Sequence, residues 1–295
     1  MAKHWKRDYR IADHWFSVIG SGLENDVVMA GGFTPFEYKD DAEGTPLFTL
    51  MVNQDLPKYS GLTVLDSFPF EELTCTFSIG EQGYEFSMAF GAEVNPIILQ
   101  MPFHGNAFSS NVQMASNNVS FLRFLLWMAY GIAAAPLLTI AVHSSVIVCG
   151  GKAVLFLGES GTGKSTHTRL WLKNVVGSRL LNDDSPIVRL IGGIPTCFGS
   201  PWSGKTNCYV NEYYPIAAIV RLRQAPFNRI ERLDKLSAFG ALYPSCPPSF
   251  AFEERLTDSV CSTISAILKE VPVYMLDCLP NNAAAELVFS ELFND

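Results

Sequence analysis

Across residues 1–116, short apolar runs recur between Gly, Pro and Asn positions, the spacing of strands separated by turns. The runs cover residues 15–19, 47–52, 62–65, 73–79, 84–90 and 97–101, and together they suggest an antiparallel sheet or sandwich. From Val119 to Ala135 the pattern changes to helix formers, with Asn117 or Asn118 as cap and Pro136 as terminator. Residues 124–142 are apolar almost throughout and long enough to span a bilayer. Arg123 at the edge, Pro136 inside and a strand-like run directly after it instead predict a buried helix leading into a buried strand. Two apolar runs, 138–149 and 153–157, flank Gly150-Gly151 and read as a β-hairpin. Residues 164–176 follow as a helix whose apolar arc holds Thr168, Trp171, Leu172, Val175 and Val176. Further on, residues 216–222 and 273–276 read as strands and residues 258–269 as a helix. The expected division is a β-rich region over 1–116 and a mixed α/β region over 117–295.

Composition narrows the function classes. A chain of 295 residues with 48% hydrophobic and 17% charged content buries a sizeable core and lies far from disordered compositions. Its formal charge of −8 has the wrong sign for a generic binder of nucleic-acid backbones, so no nucleic-acid partner is expected. The seven cysteines include no C-x-x-C pair and no Cys/His cluster at zinc spacing. They read as reduced thiols of a cytoplasmic protein. The charged N-terminal stretch lacks the apolar core of a secretory signal, and no membrane partner is expected. His104, beside Gly105 and Asn106, reads as a solvated loop histidine.

The chemistry is concentrated in the second region. Gly158-Glu159-Ser160-Gly161-Thr162-Gly163-Lys164-Ser165 matches G-x-x-x-x-G-K-[ST] in full, with Thr166 beyond it, an apolar strand before it and a helix after it. Glycines let backbone N–H groups curl around phosphate oxygens, and the helix N-terminus adds partial positive charge. In such a loop Lys164 bridges the β- and γ-phosphates and the Ser165 hydroxyl ligates Mg²⁺. Gly199 to Thr206 matches the same letters. There Pro201 and Trp202 stiffen the loop and no amphipathic helix follows, so it is not expected to hold a nucleotide by itself. Its Lys205 reads either as a cation able to fold over the first loop or as a solvated turn lysine. Asn182-Asp183-Asp184-Ser185 sets two carboxylates just after an apolar segment. At a strand end their side chains diverge, so one can face the metal and the other an acceptor hydroxyl. His143 precedes Ser144-Ser145 on the hairpin that leads to the first loop.

The ordered set His143-Ser144-Ser145, Gly150-Gly151, the Gly158–Thr166 stretch and Arg179-Leu180-Leu181-Asn182-Asp183-Asp184 resembles the catalytic domain of the HPr kinase/phosphorylase family. That family shares its fold with phosphoenolpyruvate carboxykinase. The resemblance is close over residues 138–189. It implies a P-loop kinase core of mixed α/β class, with ATP and Mg²⁺ as cofactors. It further implies that Lys164 binds phosphate, Ser165 binds Mg²⁺, Asp183 supports the metal, Asp184 accepts the substrate proton and His143 sits at the reacting phosphates. The family's Glu-x-Arg-Gly-x-Gly signature is not found, and Phe198 to Lys205 occupies that region. The expected activity is therefore transfer of the γ-phosphoryl group of ATP to a hydroxyl of a protein, peptide or small molecule, with Lys205 or Arg179 as additional cations. Two rivals are a nucleotide-sensing regulatory or assembly module and a small-molecule kinase of the parallel nucleoside-kinase type. An antiparallel neighbour beside the P-loop strand would exclude the latter.

Overall fold

The computed structural model describes residues 4–21, 32–38, 44–70, 72–91, 94–113, 118–204 and 206–293. They form a strand-rich mixed α/β structure in two compact units. The first comprises Met1–Ala134 with Ser249–Glu254, and the second Ala135–Pro248 with Arg255–Asp295. The division thus falls after the long apolar helix rather than before it.

In the first unit, strands β1 (His4–Ile11), β2 (His14–Ser21), β3 (Thr49–Met51), β4 (Thr63–Phe70), β5 (Leu73–Ile79), β6 (Gly83–Ala89), β7 (Ile97–Pro102) and β8 (Ala107–Ser110) form one sheet. Its order is β1-β2-β3-β8-β7-β6-β5-β4. The expected antiparallel arrangement holds for β4 to β8 and for β1 with β2, but β2–β3 and β3–β8 are parallel. Apolar alternation reports which face of a strand is buried and carries no information on its direction, so the short β3 could not be oriented from the pattern. Helix α1 (Val119–Ala134) has the length and apolarity of a membrane span when continued to Leu137. Here it buries Phe121, Leu122, Leu125, Leu126 and Met128, stacks Phe124 on Phe70 with ring centroids 4.3 Å apart, and donates the Tyr130 hydroxyl to the Ile11 carbonyl. Asn117 lies outside the described residues, and Asn118 donates its side-chain amide to the Gln113 carbonyl.

The second unit contains β9 (Thr139–Ala141), β10 (Ser144–Cys149), β11 (Lys152–Leu157), α2 (Lys164–Asn174), β12 (Arg179–Asp184), β13 (Ile187–Ile191), β14 (Ile194–Phe198), β15 (Tyr213–Gln224), β16 (Arg229–Arg232), α3 (Lys235–Leu242), α4 (Glu254–Glu270), β17 (Val273–Cys278) and α5 (Asn282–Phe293). The sheet runs β12-β10-β11-β15-β14-β13-β9, with β17 beside β15 and β16 beside β17. The Gly150-Gly151 hairpin forms as expected, with Cys149 opposite Lys152. The apolar run before it is two strands, because β9 pairs with β13 while β10 joins β11 and β12. Strand β15 serves twice. Its first residues pair antiparallel with β14, and its later residues lie parallel between β11 and β17.

The core packs Ile147, Val154, Phe156, Val220 and Leu276 of the sheet against Trp171 and Val175 and against Ala285 and Val288 of α5. Leu172 and Val176 leave the expected arc: the former is 43% exposed and the latter fully so. Helix α2 stops at Asn174 and Val175 is extended, so Val176 no longer follows helical spacing. All seven cysteines are free, five of them buried.

Candidate functional site

Strand register brings the predicted residues together. Ser144 pairs with Leu157 on one side and with Asp184 on the other, and Leu157 pairs with Arg221. The end of β12, the start of β10, the end of β11 and the later part of β15 therefore form one row along a single edge of the sheet. His143 enters that row immediately before Ser144, and Gly158 leaves it immediately after Leu157.

The loop Gly158–Gly163 turns from β11 into α2. Gly158 has φ +151°, and a Cβ there would lie 2.8 Å from the Thr162 hydroxyl oxygen, so a larger residue would open the loop. Thr162 donates its hydroxyl to the Glu159 carbonyl. Gly163, at φ +105°, caps α2 without any side-chain bond to the first-turn N–H groups, and that end of the helix favours negative charge. The Lys164 ammonium lies back over the loop, 2.7 Å from the Gly158 carbonyl oxygen and 3.3 Å from that of Glu159. Glu159, Ser160 and Gly161 are exposed, as is Thr166.

Asp183 is buried and receives two hydroxyls. Ser145 donates to its Oδ1 at 2.7 Å, and Ser165 donates at 3.1 Å to Oδ1 with Oδ2 at 3.4 Å. The Thr168 hydroxyl oxygen lies 3.3 Å from that of Ser145. The loop serine and the first aspartate thus meet across the row. Asp184 is half-buried. Loss of water pushes its carboxyl pKa up, His143 and Lys164 pull it down, and Asp183 raises it again. For His143, which keeps an exposed surface, crowding by protein and then the Lys164 ammonium lower the imidazole pKa, against an upward pull from Asp184. The Lys164 pKa is lowered by desolvation, raised by Asp184 and Asp183, and lowered by Arg221. His143, Lys164, Asp183 and Asp184 share one electrostatic neighbourhood.

The second glycine-rich stretch forms a wall against the aspartates. Ser203 makes an isolated bridge to Asp184, and a Cβ on Gly204 would stand 2.9 Å from the Asp183 carbonyl oxygen. Asn182, wholly buried, fastens this wall. Its Oδ1 accepts the N–H groups of Asp184 and Ser185, each at 3.0 Å, while its Nδ2 donates to Ser200 Oγ at 3.1 Å and the Trp202 carbonyl at 3.2 Å. Ser200 in turn donates to the Ser185 carbonyl at 2.7 Å. Lys205 lies outside the described residues.

Arg179 is a correction. It begins the strand that Asp184 ends, roughly 17 Å away at strand rise, and its guanidinium is held by Glu212 at 2.5 Å and by the Tyr214 hydroxyl. It is not a cation of this row. His104 is exposed in the first unit. Sequence reasoning gave no site role to Ser145, Thr168, Asn182, Arg221 or Gln224. Asn182 had a signal in its place beside the aspartates, and Arg221 had one as the polar interruption of the apolar run 216–222.

No protein-family model matches the chain, and no curated protein matches it. Among solved structures, the HPr(Ser) kinase/phosphatase from Coxiella burnetii aligns with 52% of this chain and 94% of its own, at 13% identity and a TM-score of 0.30. The likeness is partial and assigns no residue a role.

Proposed function

We propose that this chain is a Mg²⁺-dependent phosphotransferase that moves the γ-phosphoryl group of ATP to a hydroxyl of a protein, peptide or small molecule. The observation that carries the reading is the Ser165–Asp183 contact at the mouth of a G-x-x-x-x-G-K-S loop, with Asp184 and His143 in the same row. Exposed loop residues and the uncapped start of α2 provide N–H groups for phosphate oxygens. Lys164 offsets the negative charge that moves with the phosphoryl group. Asp184, whose carboxylate is partly desolvated, accepts the proton of the acceptor hydroxyl as its oxygen forms the new bond to phosphorus and the bond to the ADP oxygen breaks. His143, within the field of Lys164 and Asp184, contributes a hydrogen-bonding ring at the reacting phosphates.

The donor set suits Mg²⁺: a hydroxyl and a carboxylate supply hard oxygens. Among the described residues no group of three or more His, Cys, Asp or Glu gathers as a metal cage, and Mg²⁺ commonly takes one or two protein oxygens plus phosphate and water. Ser165 and Asp183 would hold it, and when bound it would neutralise charge on the β- and γ-phosphates.

The β10 partner of β11 is antiparallel, which argues against the parallel nucleoside-kinase order. The test is transfer of labelled γ-phosphate in cell extract by the wild type and Lys164→Ala. Wild-type labelling that Lys164→Ala abolishes is the expected result. Tight Mg-ATP binding by the wild type with no labelled product would favour the sensing module.

A further inference from the structure

On the flank of the loop opposite the aspartates, the described residues line an open recess of about 440 Å³ bordered by Glu159–Thr162, Arg221–Gln224 and Met275. Register fixes its place: Arg221 pairs with Leu157, the last strand residue before the loop, so the guanidinium stem rises one strand away from Gly158. Gln224 donates its amide towards the Gly161 carbonyl at 3.3 Å, joining the recess wall to the loop itself. The two arginines in the wall differ in what they have left to give. Arg223 is neutralised by Asp277, with Nε–Oδ1 at 2.5 Å and Nη2–Oδ2 at 2.9 Å. Arg221 donates Nη1 to the Ala241 carbonyl at 2.9 Å, a bond that orients the fork without cancelling its charge. Among the described residues its nearest carboxylate is Glu159, at 4.0 Å, on a side chain that is 90% exposed. Arg221 is itself only 18% exposed. The guanidinium of a largely buried side chain is thus held within the field of a second cation, Lys164, and both border one loop. Such a pair is relieved by an anion between them.

We propose that the recess is an anion-binding subsite in which Arg221 receives phosphate-type oxygens of a ligand engaged by the Gly158–Ser165 loop. The inference rests on the nucleotide reading above. It makes the site two-sided, with carboxylates on the β12 flank and a guanidinium on the β15 flank. The oxygens belong either to the donor triphosphate or to an anionic acceptor. Glu159 competes for the same guanidinium when the ligand is absent.

Calorimetric titration separates these sources. The probes are Mg-ATP alone and inorganic phosphate added to Mg-ADP-loaded protein, on wild type, Arg221→Gln, Arg221→Lys and Glu159→Gln. If the donor supplies the oxygens, Arg221→Gln weakens Mg-ATP about tenfold or more, the scale of a charge-assisted hydrogen bond, and Arg221→Lys recovers part of the loss. If an anionic acceptor supplies them, Mg-ATP affinity is retained and phosphate binding to the ADP complex is lost. In both cases Glu159→Gln strengthens the affected probe about twofold to threefold, because a competing carboxylate is gone. Unchanged binding of both probes by Arg221→Gln overturns the subsite while leaving the nucleotide site standing. Absence of Mg-ATP binding by the wild type overturns both readings. Should Arg221→Gln fail to fold for want of its Ala241 bond, Glu159→Gln decides: unchanged or weakened binding of both probes overturns the proposal.

Discussion

Asp183 and Asp184 are neighbours in sequence with different surroundings. Asp183 is filled by the Ser145 and Ser165 hydroxyls, whereas Asp184 faces His143 and Lys164 and has its pKa raised chiefly by loss of water. The side chains diverge because β12 is extended through both positions. The proposed phosphotransfer gives them separate roles. Asp184→Asn should retain Mg-ATP affinity and lower single-turnover transfer by about 10²–10⁴, the worth of a positioned general base. Collapse of Mg-ATP binding in that variant would make Asp184 a metal ligand. Asn182 acts one layer behind. Asn182→Ala removes an amide that serves both the Asp184–Ser185 turn and the Ser200–Trp202 wall, stranding buried partners at a cost of about 3 kcal/mol. Chemical denaturation measures it, and a loss below about 1 kcal/mol would show that water replaces the amide.

Helix α2 joins the loop to the core through its buried face. His167 packs edge-on to Phe156 with centroids 4.7 Å apart, and Trp171 Nε1 donates to its Nε2 at 3.2 Å. That bond requires an unprotonated Nε2, and burial lowers the imidazole pKa from 6.5 to about 4. Between those values the unfolded chain binds more protons than the folded one, so stability is full above pH 6.5 and declines as the pH falls towards 4. The loss approaches about 3 kcal/mol, read as a falling melting temperature. His167→Gln should flatten the dependence in this window, and an unaltered slope in the variant would assign it to other groups. This face also shows how far the sequence was legible. Trp171 and Thr168 were placed correctly from helical spacing, while His167 was not singled out, since its burial depends on Phe156 from another strand. The G-x-x-x-x-G-K-S loop and the hairpin before it were readable because their constraints are local. Strand direction at β3 and the meeting of Arg221 with the loop depend on pairings distant in sequence, as does the closure of the second glycine stretch on Asp184. No local pattern encodes them.

At the scale of the molecule, the first unit is assembled from two separate stretches of chain. Ser249 donates to Asp66 Oδ2 at 2.7 Å, and the buried Phe250 ring would lie 3.1 Å from a Cβ on Gly131. Phe250→Ala should therefore destabilise the first unit by about 3 kcal/mol or more, the usual consequence of emptying a buried aromatic site. Unfolding followed by denaturant titration checks this, and an effect confined to the second unit would be the contrary result. The returning segment also sets an order of events at the ribosome. Residues 1–134 emerge first, but the stretch that completes their unit ends at Glu254, after β11, the aspartates and β15 have all been made. At common elongation rates that delay is about 6–24 s. Over that interval helix α1 waits without the Phe250 ring that packs on Gly131, and the apolar surface it covers stays open to solvent and chaperones.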